Sequence, residues 1–234
     1  MKRITFPHMG NLQFAVRGFF EEMGLKVSCP PDISKKTLDL GVKYSPEFAC
    51  LPFKINLGNF IEALEQGANI IVMGGGVGPC RFGYYGEVQR EILKELGYDF
   101  EMIILDPRLK QTLPRLLQLF GLKNIKRLYR AARLTWVRIC SLEKIHKLVL
   151  TARPREQDRG SVDRIYREFQ KKLALLHHQQ QITDLTGDIE RVLMEIIQQS
   201  RALPVIRIGV VGEIYVVMEP FVNLELEQKL GRLG

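Results

Sequence analysis

Residues 69–90, NIIVMGGGVGPCRFGYYGEVQR, restrict what this chain can fold into more than any other stretch. A short apolar run, Asn69 to Met73, breaks into Gly74, Gly75, Gly76, Val77, Gly78, Pro79 and Cys80. From about Phe82 the pattern becomes helical and ends near Gly97. Strand, glycine turn and helix make a βα unit, and ligands of open α/β sheets bind at the carboxyl ends of the strands. The residue presented there is a cysteine followed by Arg81. A thiol near a cation and a helix N-terminus is biased toward thiolate, the form that binds metal or attacks. Cys80 is therefore the first candidate for chemistry.

The rest of the first half repeats this alternation. Lys2–Pro7 reads as a strand that ends at His8-Met9-Gly10-Asn11, and a helix follows from about Leu12 to Met23. Leu25–Ser28 is a second strand, closed by Cys29-Pro30-Pro31. Ser34 is placed to cap a short helix through Leu40. Ser45 before Pro46 reads as an N-cap with proline at the first helical position, and the helical pattern resumes at Phe53 and runs to Gly67. Phe100–Leu105 is the last strand, closed by Asp106-Pro107. Alternating strands and helices predict an α/β fold with a Rossmann-like, mostly parallel sheet over residues 1–108.

Residues 109–203 predict no strand. Helices are expected over about 109–120, 124–150, 161–180 and 185–202, with breaks at Gly121, Arg153-Pro154-Arg155, Gly160 and Thr183–Gly187. This all-helical insert holds 19 Lys and Arg against 9 Asp and Glu, and so accounts for the chain's net charge of +8. After it, Val205–Ile214 reads as a strand and Glu219–Leu230 as a helix. Residues 204–234 would be the first βα unit of a second α/β lobe.

No signal peptide opens the chain, and no apolar run approaches the ~20 residues needed to cross a bilayer, so a cytoplasmic protein without a membrane span is expected. Four cysteines in 234 residues are no disulfide framework; without an export signal they are free, metal-binding or reactive. Cys29, Cys50 and Cys80 each neighbour a strand end or helix start, points that converge on one edge of a parallel sheet. The spacing is no compact C-x-x-C signature, and free cysteines also serve as small buried hydrophobes. That second reading is taken for Cys140, which lies in helical sequence beside Ile139 and Leu142.

Four blocks carry a resemblance: TFPHMGN (Thr5–Asn11), SPEFACLPFKINLGNFIEAL (Ser45–Leu64), GGVGPCRFGYYGEVQ (Gly75–Gln89) and VVGEIYVVMEPFVN (Val210–Asn223). Together they resemble CoA-enzyme-activase-related proteins, a family similar to the 2-hydroxyacyl-CoA dehydratase subunits. The resemblance implies an oxygen-sensitive iron–sulfur protein of anaerobic cytoplasm, with a cluster of the 4Fe-4S type held by three cysteines per subunit. Cys50 and Cys80 match the family's cluster cysteines, and Cys29 is the candidate third ligand. It also implies an ATP-hydrolysing activator of the actin/Hsp70/sugar-kinase type as partner, with the ATP on that partner. An acyl-CoA substrate and a homodimer follow by the same analogy. The family's chains are longer, with a further cysteine in a later lobe.

Other readings stay open beside it. Glycine turns before helix N-termini cradle phosphates, so Gly75, Gly76 and Gly78, with Arg81, are candidate contacts for a CoA or nucleotide phosphate. Yet GGGVGPC is neither a usual G-x-G-x-x-G fingerprint nor a G-x-x-x-x-G-K-[ST] loop, and Pro79 lacks an amide donor. A turn shaped around a cluster is the preferred reading. His8, at the end of the first strand, could donate to a substrate or a cluster sulfur, or serve the structure alone. Glu47, Lys54, Asn56 and Asn59 lie near Cys50, and Tyr84 and Tyr85 near Cys80. Lys126, Arg130 and Arg133, with Arg127 and Arg138 nearby, form a basic stripe at helical spacing. It reads as a solvated face or as a docking surface for an acidic, kinase-like partner; no nucleic-acid motif accompanies it. His177-His178 reads as a polar helix end or loop. A non-catalytic docking or regulatory module, or a CoA- or nucleotide-binding protein without a cluster, are the alternatives to the iron–sulfur reading.

Overall fold

The computed structural model describes residues 2–78, 80–106, 108, 110, 112, 114, 120–121, 125–199 and 206–233. The chain divides into two compact units, one of Met1–His8 and Phe20–Tyr129, the other of Met9–Phe19 and Arg130–Gly234.

The first unit is the expected Rossmann-like α/β layer. Four short strands, β1 (Arg3–Thr5), β2 (Lys26–Val27), β3 (Ile70–Gly74) and β4 (Glu101–Leu105), form a parallel sheet in the order β2-β1-β3-β4. Ile4 pairs with Val27 on one side and Ile70 on the other, and β3 pairs with β4 from Ile70–Glu101 to Gly74–Leu105. The order reverses between β1 and β3, and the carboxyl ends of those two strands flank the switch point where such sheets bind ligands. His8 and the glycine turn follow these two ends.

Helix α1 (Leu12–Glu22) contributes to both units. Helix α2 (Lys35–Tyr44) begins with the expected Ser34 cap, strengthened to a capping box by Thr37. Helix α3 (Leu51–Glu65) is buried from Pro52 to Leu64, except at Lys54. It packs Phe53, Leu57, Phe60 and Ile61 with Ile71 and Met73 of β3, and with Tyr85 and Leu93 of α4 (Phe82–Glu95). Its opposite side meets α2 backbone to backbone. A Cβ at Gly58 would stand 1.9 Å from the Thr37 carbonyl oxygen, and one at Gly41 1.9 Å from that of Lys54. Only glycine permits this crossing.

One boundary differs here. Ser45 closes α2, its amide donating to the Gly41 carbonyl at 3.1 Å, and Cys50 is the N-cap of the next helix. Both Pro46 and Pro52 suit a helix's first turn. The glycine crossing holds α2 through Tyr44 and leaves Pro46–Ala49 as the turn between the helices.

The second unit is helical in its regular structure. Helix α5 (Ile125–Ala152) enters it from the first unit; a 3-10 turn (Arg153–Arg155), α6 (Ser161–Ala174) and α7 (Gln179–Gln199) follow. Leu142, Ile145 and Val149 of α5 pack with Val162, Tyr166, Phe169 and Leu173 of α6, Ile182 and Leu193 of α7, and Ala15 of α1. The expected break at Thr183–Gly187 falls inside α7. A solvated Gly187 costs a helix about 1 kcal/mol, which the burial of Ile182 and Leu193 on either side offsets. The chain turns instead at Leu175–His178, so His177-His178 is a loop as expected. The helix expected over 109–120 lies largely outside the described residues.

The strand expected over Val205–Ile214 is not formed in its described part, 206–213. Those residues alternate as a strand would, but a strand exists only through a ladder to a neighbour, and none of the described residues pairs with them. Ile206, Ile208 and Val211 are exposed. Beyond them lie a short helix, α8 (Ile214–Met218), capped by Glu213, and α9 (Leu226–Leu233).

Candidate functional site

The site grows from the carboxyl edge of the sheet. A three-residue link joins the C-cap of α3, Gln66, to β3, so the start of that 15-residue helix lies at the opposite, carboxyl edge. Cys50 occupies this start. It is half-buried, its backbone is extended (φ −69°, ψ 158°), and its side chain does not cap the helix. Its sulfur contacts the hydroxyl of Tyr85. The first amides of α3, those of Leu51 and Phe53, have no intrahelical acceptors, and Pro52 between them has no amide N–H.

Tyr85 is buried and held on two sides, edge-on to Phe53 at 5.2 Å and tilted against Phe82 at 5.4 Å. Buried Gln89 donates to the Phe53 carbonyl at 3.1 Å and ties α4 to the first turn of α3. Tyr84, by contrast, points to solvent.

The glycine turn folds back on β4 and α4. The Gly75 amide donates to the Leu105 carbonyl at 3.0 Å, and the Gly76 amide to that of Gly83 at 3.1 Å. Gly76 has φ +101°, and a Cβ on it would stand 2.3 Å from the Asp106 carboxylate; a Cβ on Gly83 would stand 2.0 Å from the Gly76 carbonyl oxygen. The turn therefore closes on its neighbours with no room for side chains, and two of its amides are committed internally. Cys80 is exposed at the end of this turn, and exposed Arg81 is the N-cap of α4. Gly78 is open to solvent, and Pro79 lies outside the described residues.

Asp106 was not singled out by sequence reasoning as a site residue, although it follows β4 as the glycine turn follows β3. It is buried, and its carboxylate accepts from the Arg108 amide at 2.8 Å and from the Arg108 guanidinium at 2.8 and 3.0 Å. The side-chain bond from Arg108 leads in lowering its pKa to about 2, helped by that residue's amide and by the Val77 amide. It anchors the glycine turn from the side of β4.

His8 is buried, with Nε2 3.9 Å from the Asp32 carboxylate. Cys29 is half-buried two residues after β2. Glu47 is exposed and offers its carbonyl to Lys54 at 3.2 Å; Asn59 donates to the Pro31 carbonyl at 2.8 Å. Among the described residues no three His, Cys, Asp or Glu side chains are grouped so as to hold a metal ion. The edge suits thiolate chemistry in kind, and its described residues do not complete a ligand set in number.

Two expectations about the helical stretch are corrected. Cys140 is exposed on α5 and packs into no core. The basic stripe is divided: Arg138 is fully buried, donating to the Leu176 carbonyl at 2.6 Å, with Gly18 leaving space for its guanidinium. Arg127 donates to the Glu22 carbonyl within the first unit. Lys126, Arg127, Arg130 and Arg133 are exposed, as a solvated face would be. Spacing alone does not distinguish a buried arginine from a solvated one, because both repeat with the helix. No described helix is long and apolar enough to cross a membrane.

Residues 8–73 match a family model described as a CoA enzyme activase uncharacterised domain. The match covers less than a third of the chain and includes His8, Cys29 and Cys50. This stretch is thus similar to that domain. No curated protein and no solved structure matches the chain.

Proposed function

We propose that this chain is a thiol-bearing component of a 2-hydroxyacyl-CoA dehydratase/activase-type system, working with an ATP-hydrolysing activator. The activase-related match over residues 8–73 supports the system. The observation that carries the site is Cys50, seated at the N-cap of α3 and facing the Tyr85 hydroxyl. Cys80, on the turn that leads into the same α4 helix, is the second thiol of the edge. In this reading Cys50 and Cys80 are ligands to an iron–sulfur cluster, and a further ligand comes from Cys29 after rearrangement or from another polypeptide. Such a cluster, when bound, supplies a low-potential one-electron couple. This chain's own residues orient the two thiols. The start of α3 and Tyr85 position Cys50, while Asp106 and the glycines hold the turn that bears Cys80. With the Gly75 and Gly76 amides already committed, a phosphate in this turn is the weaker reading.

The test is iron and acid-labile sulfide per chain after reconstitution without oxygen, alone and with the co-expressed activator. We expect brown protein whose iron is lost in both Cys50→Ala and Cys80→Ala. Colourless protein under both conditions, or iron retained in both variants, overturns the reading.

A further inference from the structure

The helical unit contains a cavity lined by none of the four cysteines; only Asn11 and Leu12 of its lining fall within the activase-related match. It measures about 340 Å³ and lies wholly within the second unit. Its walls come from the start of α1, one face of α5, the end of α8 and the first turn of α9.

Two of the sequence blocks singled out above meet here. From the first, the Gly10 amide donates to the buried Glu219 carboxylate of the second at 2.7 Å. Gly10 has φ +48°, and a Cβ there would stand 2.4 Å from the Met218 carbonyl oxygen. Asn223 donates to the Val217 carbonyl at 3.0 Å and holds the end of α8. Residues some two hundred positions apart are thus fastened together at the rim of one cavity.

The lining has a consistent chemistry. Leu12, Ile139, Leu142, Val217 and Met218 make the apolar wall. Asn11 also lines it, and its amide is held in place, donating to the Tyr166 hydroxyl at 2.7 Å and accepting from Gln170 at 2.6 Å. The remaining polar side chains are Glu143, His146 and Glu227. His146 Nε2 lies 3.1 Å from the Glu227 carboxylate, and its ring stacks on Tyr166 at 5.7 Å. In the neutral ring with Nε2–H donated to Glu227, Nδ1 is an acceptor, and no hydrogen bond from a described residue reaches it. Among the described residues no lysine or arginine lines the cavity; Lys147 reaches Glu143 from an exposed position at 2.6 Å. The polar side of the lining is therefore mostly acceptor, two carboxylates and, on the neutral ring, one imidazole nitrogen, beside an apolar wall. A carboxylate or phosphate head would meet two carboxylates there.

We propose that this cavity binds a small primary ammonium compound with an apolar body, its head received by Glu227, Glu143 and His146 and its body by the Leu12–Leu142–Met218 wall. The Tyr166 stack and the Glu227 bond make His146 a fixed part of that receptor.

The experiment is calorimetric titration of the full chain with n-hexylammonium, n-hexanol and n-hexanoate at equal pH and salt. Saturable binding of the amine is expected, with the alcohol and the carboxylate at least ten-fold weaker, as loss of a charge-assisted hydrogen bond implies. Glu227→Gln should weaken the amine about ten-fold or more. Met218→Trp, an exposed position where bulk enters the cavity, should abolish binding while far-UV circular dichroism stays unchanged. Absence of amine binding overturns the proposal. So does equal binding of all three probes, or binding that survives Met218→Trp. If Glu227→Gln fails to fold, the Met218→Trp result and the probe series decide.

Discussion

At the carboxyl edge of the first unit, missing side chains let backbone meet backbone. Gly41 and Gly58 bring α2 against α3, and Gly76 and Gly83 close the turn before Cys80 on itself and on Asp106. The second unit is built the other way. Its long side chains reach inward to polar partners: Arg138 to the Leu176 carbonyl, and Arg153 to Asp163 with Arg232 on the other carboxylate oxygen. The contrast suits what each has to do. Two thiols are held in place by a scaffold with little freedom to shift, because a glycine crossing has no rotamers. A receptor of side chains, such as Glu227 and His146, can be re-tuned by substitution without moving backbone. The two units should therefore fail differently.

The largest effect is expected at Asp163. Asp163→Ala leaves Arg153, 4% exposed, without its carboxylate and should cost about 3–5 kcal/mol in urea unfolding. The double variant Arg153→Met/Asp163→Leu should recover most of that loss. If it stays as unstable as the single variant, the bridge is not what the charges were retained for. Next is Gly58→Ala, where overpacking against Thr37 should cost about 2–3 kcal/mol. A cost below about 0.5 kcal/mol, within the range of ordinary surface changes, would show that α2 and α3 can part, and the contrast between the units would dissolve.

Asp106→Asn sharpens the comparison through pH. The folded carboxyl titrates at about 2, below its ordinary 3.8, so the folded state binds fewer protons than the unfolded one between those values. Its stabilisation is complete above about pH 4 and is lost as pH falls toward 2. The stability gap between wild type and Asp106→Asn should thus be constant from pH 7 to 5 and shrink between pH 4 and 2. A gap that does not change over that range would remove Asp106 as the anchor of the turn. The smallest effect is expected from Tyr85→Phe, about 0.5–1 kcal/mol for one hydrogen bond to a thiol. The ring packing against Phe53 and Phe82 is retained. A loss above about 2 kcal/mol would mean that the hydroxyl organises the whole edge.

How much of this could be read beforehand differs by element. The four strands, the Ser34 cap and the glycine turn were legible because each depends on a short-range rule: alternation, capping geometry, positive φ. The start of α3 was misplaced because Pro46 and Pro52 both satisfy the local rule. The break within 175–202 was misplaced because Gly187 weakens a helix locally, whereas the Ile182 and Leu193 contacts that keep α7 whole are made with other helices. Residues 206–213 have a strand's alternation and lack the neighbour that would make one. Asp106 was hidden for a related reason, since a residue before a proline looks like punctuation until the turn it faces is in place.

By itself the sequence determined the parallel α/β layer, the helical character of the second half and the thiols at strand and helix ends, since these follow from periodicity and from residues with one steric solution. Tertiary structure alone decided that Cys50 faces Tyr85, that Arg138 is buried while Arg130 is exposed, and that Gly10 is fastened to Glu219. Such pairings join residues 35 to 209 positions apart. Their energy depends on packing and desolvation after the chain has closed on itself, quantities that no local pattern carries.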